Sequence, residues 1–151
     1  MNPDVSVAPE IAQLMEPLRP VTSPAGAAPA DTMSAGTTIG ELARELRNIT
    51  GSPDRWWSLV RFDAGHSVRV ELATDGRYTA WLSILPPAAG DDQDCHCDVV
   101  TVVAGELTEP ASPKPLVPGQ VRVHGAPGGH QAVNTGDGYT VSLHLRGRGA
   151  Q

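Results

Sequence analysis

The chain has 151 residues, with 11 Lys+Arg against 17 Asp+Glu and a formal net charge of −6. That length suggests one domain with room for a real core, and the acidic balance argues against a nucleic-acid binder or a partner of anionic membranes. No stretch approaches the ~18 to 20 apolar residues that cross a bilayer. The opening MNPDVSVAPEIAQL lacks a basic region followed by an apolar run, so no signal peptide is expected. The expectation is therefore a cytoplasmic protein, in which Cys95 and Cys97 stay reduced. The two are also too close in sequence for an ordinary bridge to each other.

Residues 1–36 are rich in Pro, Ala, Ser and Gly without periodicity, which predicts a disordered tail ahead of a folded domain at 37–151. Thr38 and Glu41 fit a capping box, and Ile39, Leu42, Leu46 and Ile49 follow at helical spacing up to Gly51. Ser52-Pro53-Asp54 opens a second short helix, whose Trp56, Trp57, Leu59 and Val60 are expected to dock on a sheet.

From residue 67 onward the pattern is of strands. Strands are expected at 67–72, 78–85, 99–107, 120–124, 131–134 and 140–145, with a polar loop at 86–98. Turns fall at Asp75-Gly76, Pro118-Gly119 and Gly136-Asp137-Gly138. The 16 Gly and 14 Pro, many of them between these runs, fit antiparallel structure. The fold class is thus mainly all-β, a jelly-roll barrel behind two short N-terminal helices. No P-loop, dinucleotide fingerprint or nucleophile elbow is present.

Two passages carry a resemblance. The first, WWSLVRFDAGHSVRVELATDGRYTAWLSILPP, has a tryptophan-containing helix, an arginine-bearing strand and a Tyr-x-x-Trp-Leu strand. The second is VAGELTE followed by PGQVRVHGAPGGHQAVNTGDGYTVSLHL, with a Gly-Glu-Leu strand end, a Pro-Gly turn, His130-x-x-x-Asn134 and a Ser-x-His strand. Both resemble the cysteine (thiol) dioxygenases of the cupin superfamily, over roughly residues 56–145.

The resemblance implies a cupin barrel holding Fe(II) through three histidines, two from a His-x-His pair and one matching His130. Positions left open on the iron would take a substrate thiolate and dioxygen. Here the His-x-His pair is absent. One register of the 90–98 loop puts Asp91 and Gln93 on the pair, with Asp98 at a carboxylate position. The other puts Asp94 and His96 there, giving a set of Asp94, His96 and His130, two histidines and one carboxylate. A solvated, metal-free loop is the plain alternative. Zinc held by Cys95-His96-Cys97 is a further one, against which stands the missing two-to-four-residue gap between the cysteines.

Ser142 and His144 match the family's Ser-x-His and lie on one strand face, as a hydrogen-bond relay. Arg146 stands where relatives carry a tyrosine. It cannot replace a phenol but can grip a carboxylate. Arg69 is the candidate for the carboxylate-binding arginine, with Glu71 there in the other register. Tyr78 and Trp81 pack in or beside the barrel, Tyr78 as a substrate-side candidate. His66 and His124 read as structural or surface residues. The implied activity is dioxygenation of a small thiol to a sulfinate, or action on a small carboxylate-bearing metabolite. The alternative is a degenerate or metal-independent cupin that binds a small molecule, serves as an accessory protein, or acts as a non-oxidative isomerase or cyclase. A homodimer is an open option.

Overall fold

The computed structural model describes residues 36–91, 95–124 and 130–149. The expected tail, apart from Gly36, lies outside those residues. Helix α1 spans Ile39–Thr50, and Thr38 and Glu41 form the predicted capping box in both directions. Leu42, Leu46 and Ile49 are buried, while Ile39 is left 40% exposed at the first turn. The expected second helix is instead two 3₁₀ turns, Pro53–Arg55 and Trp57–Leu59, and Ser52 makes no side-chain cap. Trp56 carries the docking. It is buried and its indole N–H donates to the Ile49 carbonyl at 2.9 Å, in the last turn of α1. Trp57 and Leu59 remain exposed.

Seven strands follow: β1 Val68–Thr74, β2 Tyr78–Leu85, β3 Val99–Ala104, β4 Leu107–Glu109, β5 Ser112–Leu116, β6 Val121–Val123 and β7 Thr140–Gly147. Five make one antiparallel sheet in the order β1-β2-β7-β3-β6, and β4 pairs with β5 in a second. The second layer is widened by extended segments. Val133 bridges both Thr108 and Gly90, and Cys95 bridges His130. The strand expected at 131–134 is thus reduced to these bridges. β5 escaped the sequence reading because Pro113 and Pro115 break a strand pattern. Proline is tolerated at a sheet edge, and β5 pairs only with β4.

The large sheet is buried on both faces. Tyr78, Ala80, Leu82 and Ile84 of β2, with Val141, Leu143 and Leu145 of β7, pack against α1, Trp56 and Val60. The alternate residues Trp81 and Leu85, with Val100 and Val102 of β3, pack inside the barrel against Leu107, Leu116, Ala132, Cys95 and Cys97. Asn134, fully buried, ties the barrel's rear together. Its amide donates to the Leu85 and Gly138 carbonyls at 3.0 and 2.7 Å, and its side-chain oxygen accepts from the Gly136 N–H. Among the described residues no helix is long and apolar enough to cross a membrane.

Gly105 separates β3 from β4 at φ +77°, and a Cβ there would lie 2.6 Å from the Tyr139 carbonyl oxygen and 2.9 Å from Thr140 Cα. Gly105→Ala combines a left-handed backbone with a backbone clash. It is expected to cost about 2 kcal/mol or more, read as a lowered midpoint in urea unfolding; an unchanged midpoint would show that the β3–β4 corner relaxes freely.

Candidate functional site

Alternation along the strands decides which side chains enter the barrel. On β7, Ser142 and His144 point inward and are fully buried. Before β3 the segment reads buried, exposed, buried at Cys95, His96 and Cys97. The inward-facing pair of the 90–98 loop is therefore the two cysteines. The antiparallel bridge between Cys95 and His130, with N–H···O distances of 3.0 Å in both directions, fixes His130 opposite that pair.

The inward groups converge on Cys97. Its Sγ lies 3.0 Å from Cys95 Sγ, 3.4 Å from His144 Nδ1, 3.6 Å from His130 Nε2 and 3.7 Å from His124 Nδ1. The imidazoles of His124 and His130 stack at 3.7 Å between centroids. Cys97, His124 and His130 present ligand-type atoms within 4.8 Å of one another, as do Cys95, Cys97 and His144. A metal ion can bridge such spacings. Both cysteines are free thiols.

A ring of polar groups holds these residues. Buried Glu109 of β4 accepts from Arg122 Nη1 at 3.0 Å and pairs with His124 Nε2 at 3.0 Å, with His130 Nε2 at 3.7 Å. His144 Nε2 faces Ser142 Oγ at 2.8 Å, so the expected Ser-x-His contact exists, and its other nitrogen faces the thiols.

Charge in the cluster is coupled. The hydrogen bond from Cys97 holds the Cys95 thiol well below its usual range, against the opposing effect of burial, and contacts with His130 and His144 add to it. The shared proton and burial push Cys97 upward. Cys95 in turn raises His130. Burial works to raise Glu109, but His124 and Arg122 outweigh it and leave its carboxyl below the ordinary value.

A second feature borders Trp81. Arg69, Thr79, Trp81, His96 and Arg146 line a cavity of about 170 Å³. The Arg69 guanidinium lies over the Trp81 ring at 4.1 Å, and Trp81 stacks on His144 at 5.4 Å with planes 6° apart. The Trp81 indole N–H is buried and has no hydrogen-bond partner among the described residues.

The sequence-derived candidates thus divide. Arg69 and Arg146 meet at one cavity; His130, His144 and Ser142 meet in the thiol cluster. His96 is exposed and lines the arginine cavity, because the residue between two inward cysteines must face the other way, so it does not join His130. Asp94 and Gln93 lie outside the described residues. Asp98 accepts from the Gly147 N–H at 2.7 Å, and Asp91 pairs with Ser83 Oγ at 3.4 Å. Tyr78 lies on the other sheet face, where its hydroxyl donates to Glu45 of α1 at 2.9 Å. The parity of β2 puts it among the helix-facing residues, away from the cavity. Sequence reasoning missed Cys95, Cys97, His124 and Glu109 as a group. A Cys-x-Cys pair next to a strand was the available signal, since residues two apart share a face.

The antiparallel double-layered barrel with its buried inward-facing polar cluster defines a jelly-roll protein by fold. Solved structures agree on that fold. A Klebsiella pneumoniae protein with a double-stranded β-helix domain aligns at 20% identity and TM-score 0.51, over 62% of this chain and 88% of its own. A Thermus thermophilus protein aligns at 18% and 0.51, over 59% and 90%. A cupin domain from Bordetella pertussis Tohama I aligns at 16% and 0.47, over 58% and 99%. The fold is therefore a double-stranded β-helix, a jelly roll. No family model matches the chain, and no curated protein matches it.

Glu109→Ala would leave Arg122 and His124 without their shared carboxylate in a nearly closed site. A loss of about 3 kcal/mol is expected, measured by denaturant unfolding at neutral pH. A loss below about 0.5 kcal/mol would mean that solvent replaces the carboxylate at no cost.

Proposed function

We propose that this protein binds a small carboxylate-bearing molecule in the cavity between Arg69 and Arg146. The observation that carries the reading is the convergence of two guanidinium side chains and His96 on one cavity walled by Trp81. Cationic groups gathered in one recess favour an anionic occupant, and the planar fork of arginine matches a carboxylate with two parallel hydrogen bonds. The Arg69 stack on Trp81, itself stacked on His144, fixes one fork in advance, which lowers the ordering cost of binding. At about 170 Å³ the cavity suits a metabolite of amino-acid size rather than a drug-sized or polymeric ligand.

The finer reading implied by the sequence, sulfinate-forming oxidation of a thiol at ferrous iron, receives no support from the site. Its ligand set needed His96 beside His130, and His96 faces the arginine cavity. The groups that do surround His130 include two thiols, which suit softer metals than a three-imidazole or two-histidine-one-carboxylate iron site. The residues as placed do not fit that iron centre, and no oxygen chemistry is derived through it.

Titration calorimetry with L-cysteine and succinate, against their ester or amide counterparts, tests the proposal. The carboxylates are expected to bind and the neutral counterparts to bind at least tenfold more weakly. Arg69→Gln and Arg146→Gln are each expected to weaken binding by tenfold or more. Equal affinity for acids and esters, or undiminished binding by the double variant, would sink it.

A further inference from the structure

The geometry points to a peroxide-reactive dithiol in the barrel, in which Cys95 and Cys97 close into a reversible disulfide with each other. This goes beyond the carboxylate cavity and does not depend on it. The first ground is distance. The chain's two cysteines are free thiols with their sulfurs 3.0 Å apart, so a closure of about 1 Å reaches the ~2.05 Å of a disulfide bond. A bridge across one residue is hard on a regular strand, where two residues rise about 6.6 Å, near the ~6.8 Å upper limit for bridged Cα atoms. Here Cys95 is held by its bridge to His130, and β3 begins only at Val99. The irregular segment between them keeps both sulfurs inward and lets them meet.

The second ground is the set of groups around the sulfurs. Attack on a peroxide needs a thiolate, and closure needs a second thiol beside it. His144 Nδ1 lies 3.3 Å from Cys95 Sγ and 3.4 Å from Cys97 Sγ. The Ser142 hydroxyl, 2.8 Å from His144 Nε2, can donate there, which leaves the ring proton on Nδ1, aimed at the sulfurs. His130 Nε2 stands 3.6 Å from Cys97 Sγ. One negative charge shared by two sulfurs is thus met by two imidazoles. The hydrogen bond with Cys97 foremost, and then His130 and His144, favour the thiolate at Cys95, while Cys97 keeps its proton.

The third ground is access. Both cysteines are buried, and Cys97 touches His124 and His130, whose side chains each keep 16% exposure. An approach this narrow suits an oxidant the size of hydrogen peroxide and excludes bulky disulfides. Burial also keeps either sulfur from bridging to a second chain. The Cys95 thiolate attacks one peroxide oxygen: an S–O bond forms, the O–O bond breaks, and hydroxide leaves and takes a proton from solvent. The Cys97 sulfur then attacks the sulfenic sulfur of Cys95. The S–S bond forms, the S–O bond breaks, and the departing hydroxide carries off the Cys97 proton as water. Two electrons pass from the sulfurs to the peroxide, which ends as two waters. A small dithiol reverses the bond by exchange and is itself left as a cyclic disulfide.

The experiment treats the full chain with a few equivalents of hydrogen peroxide beside a strong chelator, alkylates the remaining thiols in denaturant, and weighs the intact protein. A monomer lighter by two hydrogens, with neither cysteine alkylated, is expected, and dithiothreitol should restore both thiols. The folded chain should react at least tenfold faster than the same chain unfolded in urea at the same pH, because the fold supplies both the pairing and the imidazoles. Cys97→Ser should stop at a sulfenic acid that dimedone traps, and Cys95→Ser should lose its remaining thiol at least tenfold more slowly than the unaltered protein. If a variant fails to fold, the mass of the unaltered protein and its folded-to-unfolded rate ratio decide alone. Two alkylatable thiols after treatment, a sulfinic acid on one cysteine with the other still free, a bridge between chains, or equal rates folded and unfolded would each overturn the proposal.

Discussion

The pairing of β2 with β7, in register from Tyr78↔Gly147 to Leu85↔Thr140, is the constraint on which the rest of the molecule depends. It runs through the middle of a sheet buried on both faces. One parity of residues fills the space beneath α1 and the other fills the barrel. A slip of one residue would exchange the two sets and bring Leu143 and Leu82 inward in place of His144 and Trp81. The cross-strand pair Trp81↔His144 is where this matters most, since it joins the arginine cavity on one side to the thiol cluster on the other.

From that pairing the two polar features follow as neighbouring layers of one interior. The cations Arg69 of β1 and Arg146 of β7 are exposed, and toward the second layer lie thiols and imidazoles closed in by Leu107, Leu116 and Ala132. The first is open to solvent, and the second is nearly sealed. A buried carboxylate is tolerable at Glu109 only because Arg122 and His124 both reach it. The acidic composition of the chain thus hides a cationic recess, and net charge says little about it.

The two features also divide the inherited pattern. His130, Ser142 and His144, the residues that carry the resemblance to thiol dioxygenases, lie in one buried cluster with two thiols. Thiols occupy the inward positions of the loop, and a guanidinium stands in place of a phenol at Arg146. The cupin barrel hosts many chemistries, so the fold constrains these substitutions very little.

The sequence by itself determined the jelly-roll class, α1 with its capping box, and strands β2 and β7 nearly to the residue, because hydrophobic periodicity and cap chemistry are local. It also singled out Arg69, Arg146, Ser142, His144 and His130. Tertiary structure decided the rest. That Cys95 and Cys97 face inward while His96 faces out depends on the backbone phase of an irregular loop, which the bridge to His130 sets from 35 residues away. That Glu109, Arg122 and His124 meet depends on β4 and β6 lying in different sheets whose inner faces oppose each other. Such encounters are fixed by non-local packing, and no periodicity along the chain records them.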